Sequence, residues 1–222
     1  METPPRCLVI NYASSGHNCP MIAGRNITGL AWHIDNNVLT REESLDLFKM
    51  AELGWLSLGI SSRIEVEHLD AKTEAKKKEL ANCRLPFVTS FAPFYLGHSI
   101  LGSSVLGSDE DGVRLNRVYT AIWPQADFDE DQVQWAKRTM GRSRLRDSLL
   151  VSDAIRYCAS AFVSHAPRIL AASERIRNSF DGFGVMSINS ATLLARSRIA
   201  KSRRLGLLQP TNQLTQDLSS WP

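Results

Sequence analysis

The segment Leu30-Ala31-Trp32-His33-Ile34-Asp35-Asn36-Asn37-Val38-Leu39 decides the fold. Its first five residues are mostly apolar, with β-branched and aromatic members, and the polar turn at 35–37 ends the run. That is the pattern of a buried strand whose C-terminal end falls at Asp35. The period then changes. Thr40 with Glu43 three positions on makes a capping-box pattern, and Leu45, Phe48, Met50 and Leu53 follow near helical spacing until Gly54. Residues 55–60 predict a second strand, and Ser61 and Ser62 cap a helix running from Arg63 into the charged segment 70–79. Strand, helix, strand, helix predicts an α/β fold: a three-layer α/β/α sandwich around a central parallel sheet.

Farther along, 129–138 and 147–159 are expected to be helical, 161–163 a short strand, 167–178 a helix with Pro167 in its first turn, and 184–187 another strand. Residues 190–205 predict a basic helix. The stretch 86–131 carries Gly97, Gly102 and Gly107, an acidic turn at 109–112 and an expected strand over 118–123; it reads as an insertion. The organisation expected is an N-terminal extension at 1–27, one domain over 28–208 and a polar tail at 209–222.

Bulk numbers set the remaining bounds. The chain has 222 residues, which favours one enlarged domain over two small ones, and 43% hydrophobic with 22% charged residues excludes collagen-like and wholly disordered classes. A formal net charge of +3 gives no bulk argument for nucleic acid, so only local clusters of basic residues can supply one. No stretch approaches the ~20 apolar residues that span a bilayer, and Met1 to Pro20 has no sustained apolar core, so a soluble, cytoplasmic protein without a membrane partner is expected. Cys7, Cys19, Cys83 and Cys158 form no C-x-x-C pair, which argues against a zinc site or a disulfide framework. Nucleophile-elbow, phosphate-loop and zinc-helix motifs are missing, and His17, His33, His68, His98 and His165 have no ligand spacing.

What remains is acidic. Asp35 ends the first strand, Glu67 lies in the helix after the second, and Asp147 opens a later helix; strand C-termini in a parallel sheet converge on one edge. Carboxylates gathered without basic neutralisation call for a divalent cation, and oxygen ligands favour magnesium or manganese over zinc. A metal held in this way suits phosphodiester hydrolysis.

At these residues the chain resembles the PIN-domain family of metal-dependent nucleases. Ile34-Asp35-Asn36-Asn37 is similar to its first motif, a strand ending in Asp with Asn two positions later. The stretch Ile60-Ser61-Ser62-Arg63-Ile64-Glu65-Val66-Glu67 looks like the second, with Glu67 the better register and Glu65 the alternative. The third and fourth motifs resemble Asp147 with Ala154 seven positions on, and the strand 161–163 ending in Ser164, seventeen positions after Asp147. The resemblance implies a PIN-like fold, Mg2+ or Mn2+ held by Asp35, Glu67 and Asp147, support from Asn37, Ser62, Ser164 and His165, and endoribonuclease activity. One position departs from the family: the usual fourth Asp, two residues after the Thr or Ser, is Ala166.

Two basic clusters are expected to contact phosphates. The first includes Arg142, Arg144 and Arg146, just before Asp147, and the second Arg198, Arg203 and Arg204 in the C-terminal helix. Asp153, six residues or about 120° around a helix from Asp147, reads as a solvated acid rather than a ligand. Two alternatives stand beside the nuclease: a catalytically degenerate domain that binds nucleic acid or protein, and the toxin of a toxin–antitoxin pair. A homo-oligomer is compatible with any of them.

Overall fold

The computed structural model describes residues 28–63, 88–90, 107–129 and 140–206. Five short strands, β1 (Ala31–Ile34), β2 (Ser57–Ser61), β3 (Val88–Ser90), β4 (Ala161–Val163) and β5 (Gly184–Met186), form one sheet in the order β3-β2-β1-β4-β5. All four pairings are parallel. Parallel neighbours need crossovers. Helix α1 (Leu45–Glu52) links β1 to β2, and α2 (Asp109–Ile122) and α3 (Met140–Arg156) lie between β3 and β4. Next, α4 (Pro167–Ala171) and α5 (Ser173–Ser179) lie between β4 and β5, and α6 (Ile188–Arg204) follows the last strand.

The central strands β1 and β4 are buried on both faces, so alternation sorts the core into two halves. Trp32, Ile34, Leu58, Ala161 and Val163 point one way and pack with Leu47, Phe48 and Met50 of α1 and Ile188, Ala191, Ala195 and Ile199 of α6. Ala31 and Phe162 point the other way, against Val118 and Ile122 of α2, Leu150, Val151 and Ala154 of α3, and Ile169 and Ile176 of α4 and α5. Helices therefore cover both faces, as the expected α/β architecture requires.

Several expectations need correction. The strand expected over 118–123 belongs to α2, because Leu115, Val118, Tyr119 and Ile122 recur at i, i+3, i+4 and i+7, which is a helical stripe. The acidic turn at 109–112 is the first turn of that helix, where Ser108 and Asp111 form a reciprocal capping box. The stretch read as an insertion thus supplies strand β3 and a helix packed on the sheet. Helix α3 already runs through Met140, seven residues before Asp147, and Leu145 joins Leu149 on a stripe against Leu115 and Tyr119. The capping box expected at Thr40 and Glu43 gives way to a 3-10 turn, Glu42–Ser44, whose N-cap Arg41 makes no side-chain cap bond. The helix expected over 167–178 breaks at Ala172 into two, and most of the helix expected over 129–138 lies outside the described residues.

Ion pairs tie the α2–α3 layer together. Asp111 in the first turn of α2 pairs with Arg114 and, at 3.2 Å, with Arg156 in the last turn of α3. Burial works against the Asp111 carboxylate, but the Ser108 N–H and the two guanidiniums outweigh it and hold its pKa below the usual value.

Candidate functional site

The sheet order places a crevice at β1 and β4. From β1 the chain winds outward through β2 and β3, then returns to the other side of β1 as β4 and β5. Where winding reverses, the connections leave the two central strands in opposite directions, and a gap opens beyond their C-terminal ends. Ile34 is level with Val163, so the next residues on the two strands, Asp35 and Ser164, face one another across that gap.

Asp35 is 3% exposed. Its backbone N–H continues the ladder to the Val163 carbonyl at 2.9 Å, which fixes the direction of its side chain. The Ser164 hydroxyl donates to Asp35 Oδ2 at 2.6 Å, and Ser164 Oγ accepts from the Ala166 N–H at 3.0 Å. Asn37 joins the same edge, its Oδ1 accepting from the His165 N–H at 3.2 Å. Burial raises the Asp35 pKa, opposed by Ser164, the N–H groups of Asn37 and Asn36 and the Asn37 side chain.

Asp147 sits in the second turn of α3, on the same side of the sheet as Asp35. Its carboxyl is pushed up to about 7, first by burial and then by repulsion from Asp35, against the pull of Arg146 and Arg168. Two carboxylates from distant parts of the chain are therefore close enough to oppose each other's ionisation. His33, two residues before Asp35 on the same strand face, is fully buried and its pKa falls to about 3, so it stands there as a neutral imidazole.

The structure brings together Asp35, Asp147, Asn37, Ser164 and the backbone of His165. Glu67, with its alternative Glu65, lies outside the described residues. Ser62 is buried just past the end of β2, and Ala166 is the N-cap of α4, with no side-chain cap bond. Arg146 is half-buried beside Asp147, while Arg142 is half-buried one helical turn earlier. Arg144 helps join two helices: its Nε donates to the Tyr119 hydroxyl at 3.2 Å, and its carbonyl accepts from Trp123 Nε1 at 3.2 Å.

The C-terminal arginines lie elsewhere. Helix α6 packs on the opposite face of the sheet from α3, and Arg203 stacks over Trp55, which precedes β2. A helix that follows a parallel strand runs back toward the strand N-termini, so Arg198, Arg203 and Arg204 are carried away from the edge that holds Asp35.

Asp153 is the clearest correction. It is 2% exposed, and its Oδ2 accepts from Arg63 Nε at 2.8 Å and from the Ser61 hydroxyl at 2.6 Å. A signal was present, since Asp153 continues the i, i+4 stripe of Leu145 and Leu149 and so had to face inward. Arg63, also missed, is the partner that makes this burial tolerable. Arg168 was missed too, because its approach to Asp147 comes from a different helix.

No protein-family model, curated protein or solved structure matches this chain. The fold and the site therefore rest on their own geometry.

Proposed function

We propose that this chain is a PIN-like, divalent-metal-dependent nuclease that hydrolyses phosphodiester bonds, with RNA favoured by the family resemblance. One observation carries the reading: Asp35 and Asp147 oppose each other at the sheet's crevice, and burial together with that repulsion outweighs Arg146 and Arg168 and pushes the Asp147 carboxyl up to about 7. Such a pair is costly in a metal-free protein and fits a hard cation that accepts only oxygen ligands. Asp35 and Asp147, joined by Glu67 in the family pattern, would hold magnesium or manganese. A cation held there would neutralise charge at the scissile phosphate and lower the pKa of a bound water. Ser164 locks the Asp35 rotamer, and Arg146 and Arg168 offer guanidiniums to the phosphate oxygens.

The test is calorimetric titration of Mn2+ into the wild type and Asp147→Asn, paired with Mg2+-dependent cleavage of single-stranded RNA by the wild type and Asp35→Asn. Binding lost in the first variant and cleavage lost in the second support the reading. Cleavage undiminished in Asp35→Asn rejects it.

Ala166 favours a second reading, a PIN-like domain that binds nucleic acid or a partner protein without cutting. A methyl stands where the family supplies a fourth carboxylate, and the adjoining helix is left without a side-chain cap. Ala166→Asp separates the two, because a degenerate site gains Mn2+ affinity from the added acid, whereas a working three-acid site changes little or is impaired.

A further inference from the structure

Two grooves flank Trp123 on the outer surface of the α2–α5 layer, and they share Pro124 and Arg175. The first, about 700 Å³, runs between α2 and α5 and includes Arg117. The second, about 390 Å³, includes Arg144 and Arg168. Among the described residues, no carboxylate lines either one.

Two of these arginines, Arg175 and Arg117, are anchored by groups that carry no net charge. Arg175 Nε donates to the Ala121 carbonyl at 2.7 Å, and Arg117 donates to the Ser179 carbonyl while stacking over Phe180 at 4.8 Å. A carbonyl or a ring fixes a guanidinium's direction without neutralising it. Arg168 lies over the Trp123 ring at 5.2 Å, and that indole is pinned by its own bond to the Arg144 carbonyl. All three guanidiniums belong to exposed residues, held in place before any ligand arrives. The row ends at the candidate site, since Arg168 is close enough to Asp147 to stabilise its carboxylate, and Arg144 is one helical turn before Asp147.

We infer that Arg168, Arg175 and Arg117, aligned by Trp123 and the α2–α5 groove, form a backbone track that leads a single-stranded polynucleotide to the Asp35–Asp147 crevice. The inference rests on the reading of that crevice as the place where a phosphodiester is brought. A phosphate chain is the occupant that the chemistry selects: it presents a repeating anion to spaced forks of N–H donors, and the grooves offer those donors and no acid to repel it. The track differs from both basic clusters expected from the sequence and draws on helices whose arginines are scattered along the chain.

The test is fluorescence anisotropy of a fluorescein-labelled 20-nucleotide single-stranded RNA with the full chain in EDTA, titrated between 50 and 200 mM KCl. Arg117→Gln/Arg175→Gln is expected to weaken binding about tenfold and to lower the slope of log affinity against log salt by about 1.4, near 0.7 for each lost phosphate contact. Arg117→Lys/Arg175→Lys keeps the charge and is expected to retain most of the slope, which a purely structural role for these residues would not allow. Unchanged affinity and slope in the glutamine pair overturn the track, as does a wild type that binds no RNA. Cleavage assayed in parallel with Mg2+ separates the two ideas. Arginine-dependent binding without cleavage leaves the track standing and removes the nuclease, while cleavage with arginine-independent binding does the reverse.

Discussion

Asp147→Asn should make the protein more stable at alkaline pH, less so at pH 5, and change little below about pH 4. The Asp147 carboxyl in the folded chain titrates near 7, against an ordinary value of 3.8. The folded state therefore holds this proton more tightly than the unfolded state. Below about pH 4 both states are protonated and the site carries no penalty; above it the unfolded chain ionises first, and stability falls until the folded carboxyl also ionises near pH 7. Between pH 5 and pH 8 these two values correspond to a loss of about 2.5 kcal/mol. An amide of the same shape cannot ionise, so the variant escapes that loss and also frees Asp35 from the repulsion, while the remaining titrating groups contribute to both proteins. Urea unfolding in EDTA at pH 5 and pH 8, followed by tryptophan fluorescence, reads the difference. With a slope of about 2–3 kcal/mol per molar urea, the variant's midpoint should gain on the wild type by roughly 1 M at pH 8. Midpoints that fall in parallel in the two proteins would refute the claim that burial and Asp35 hold the Asp147 proton.

Three further outcomes are expected. Ser164→Ala removes the donor to a buried carboxylate and should cost about 1.5–3 kcal/mol in urea unfolding at pH 8; a cost near zero would mean that Asp35 does not depend on that hydroxyl. Asp153→Ala takes the buried carboxylate away from the Arg63 guanidinium and should cost about 3–5 kcal/mol, whereas Arg63→Met/Asp153→Leu should recover most of it, and equal losses in the two proteins would contradict the pairing. Ser108→Ala breaks the capping box of α2 and should lower stability by about 1 kcal/mol, which thermal unfolding can check.

The parts of this fold that could be read from the sequence were those governed by local periodicity. The strand ending at Ile34 and the strand Ala161–Val163 were both visible as short apolar runs bounded by polar turns, and the parallel sheet followed from their alternation with helices. Helix α2 was misjudged because Val118, Tyr119 and Ile122 look β-prone in isolation; the helical period shows only when Leu115 is counted with them. The meeting of Asp35 with Ser164 and Asp147 was legible through the order of motifs, since strand ends in a parallel sheet share an edge. The Arg63–Asp153 pair was not, because pairing across 90 residues depends on how α3 is rotated against β2, which no local pattern records. The displacement of Arg203 to the far edge follows from the direction of a crossover helix, a rule of topology rather than of composition.

The hydrogen bond between Ser164 and Asp35 joins residues 129 positions apart. During synthesis, strand β1 emerges early yet must wait for β4 before its second neighbour exists, with β2 and β3 already laid down on the other side. Among the described strands only β5 joins the sheet after the crevice is closed, and a growing chain carries Asp35 for most of its elongation with no counterpart across the gap. Closing so long a loop is slow compared with local helix formation. A nascent polypeptide accordingly leaves Asp35 without its serine partner until translation has passed the Ser164 codon, which makes completion of the crevice a property of strand order.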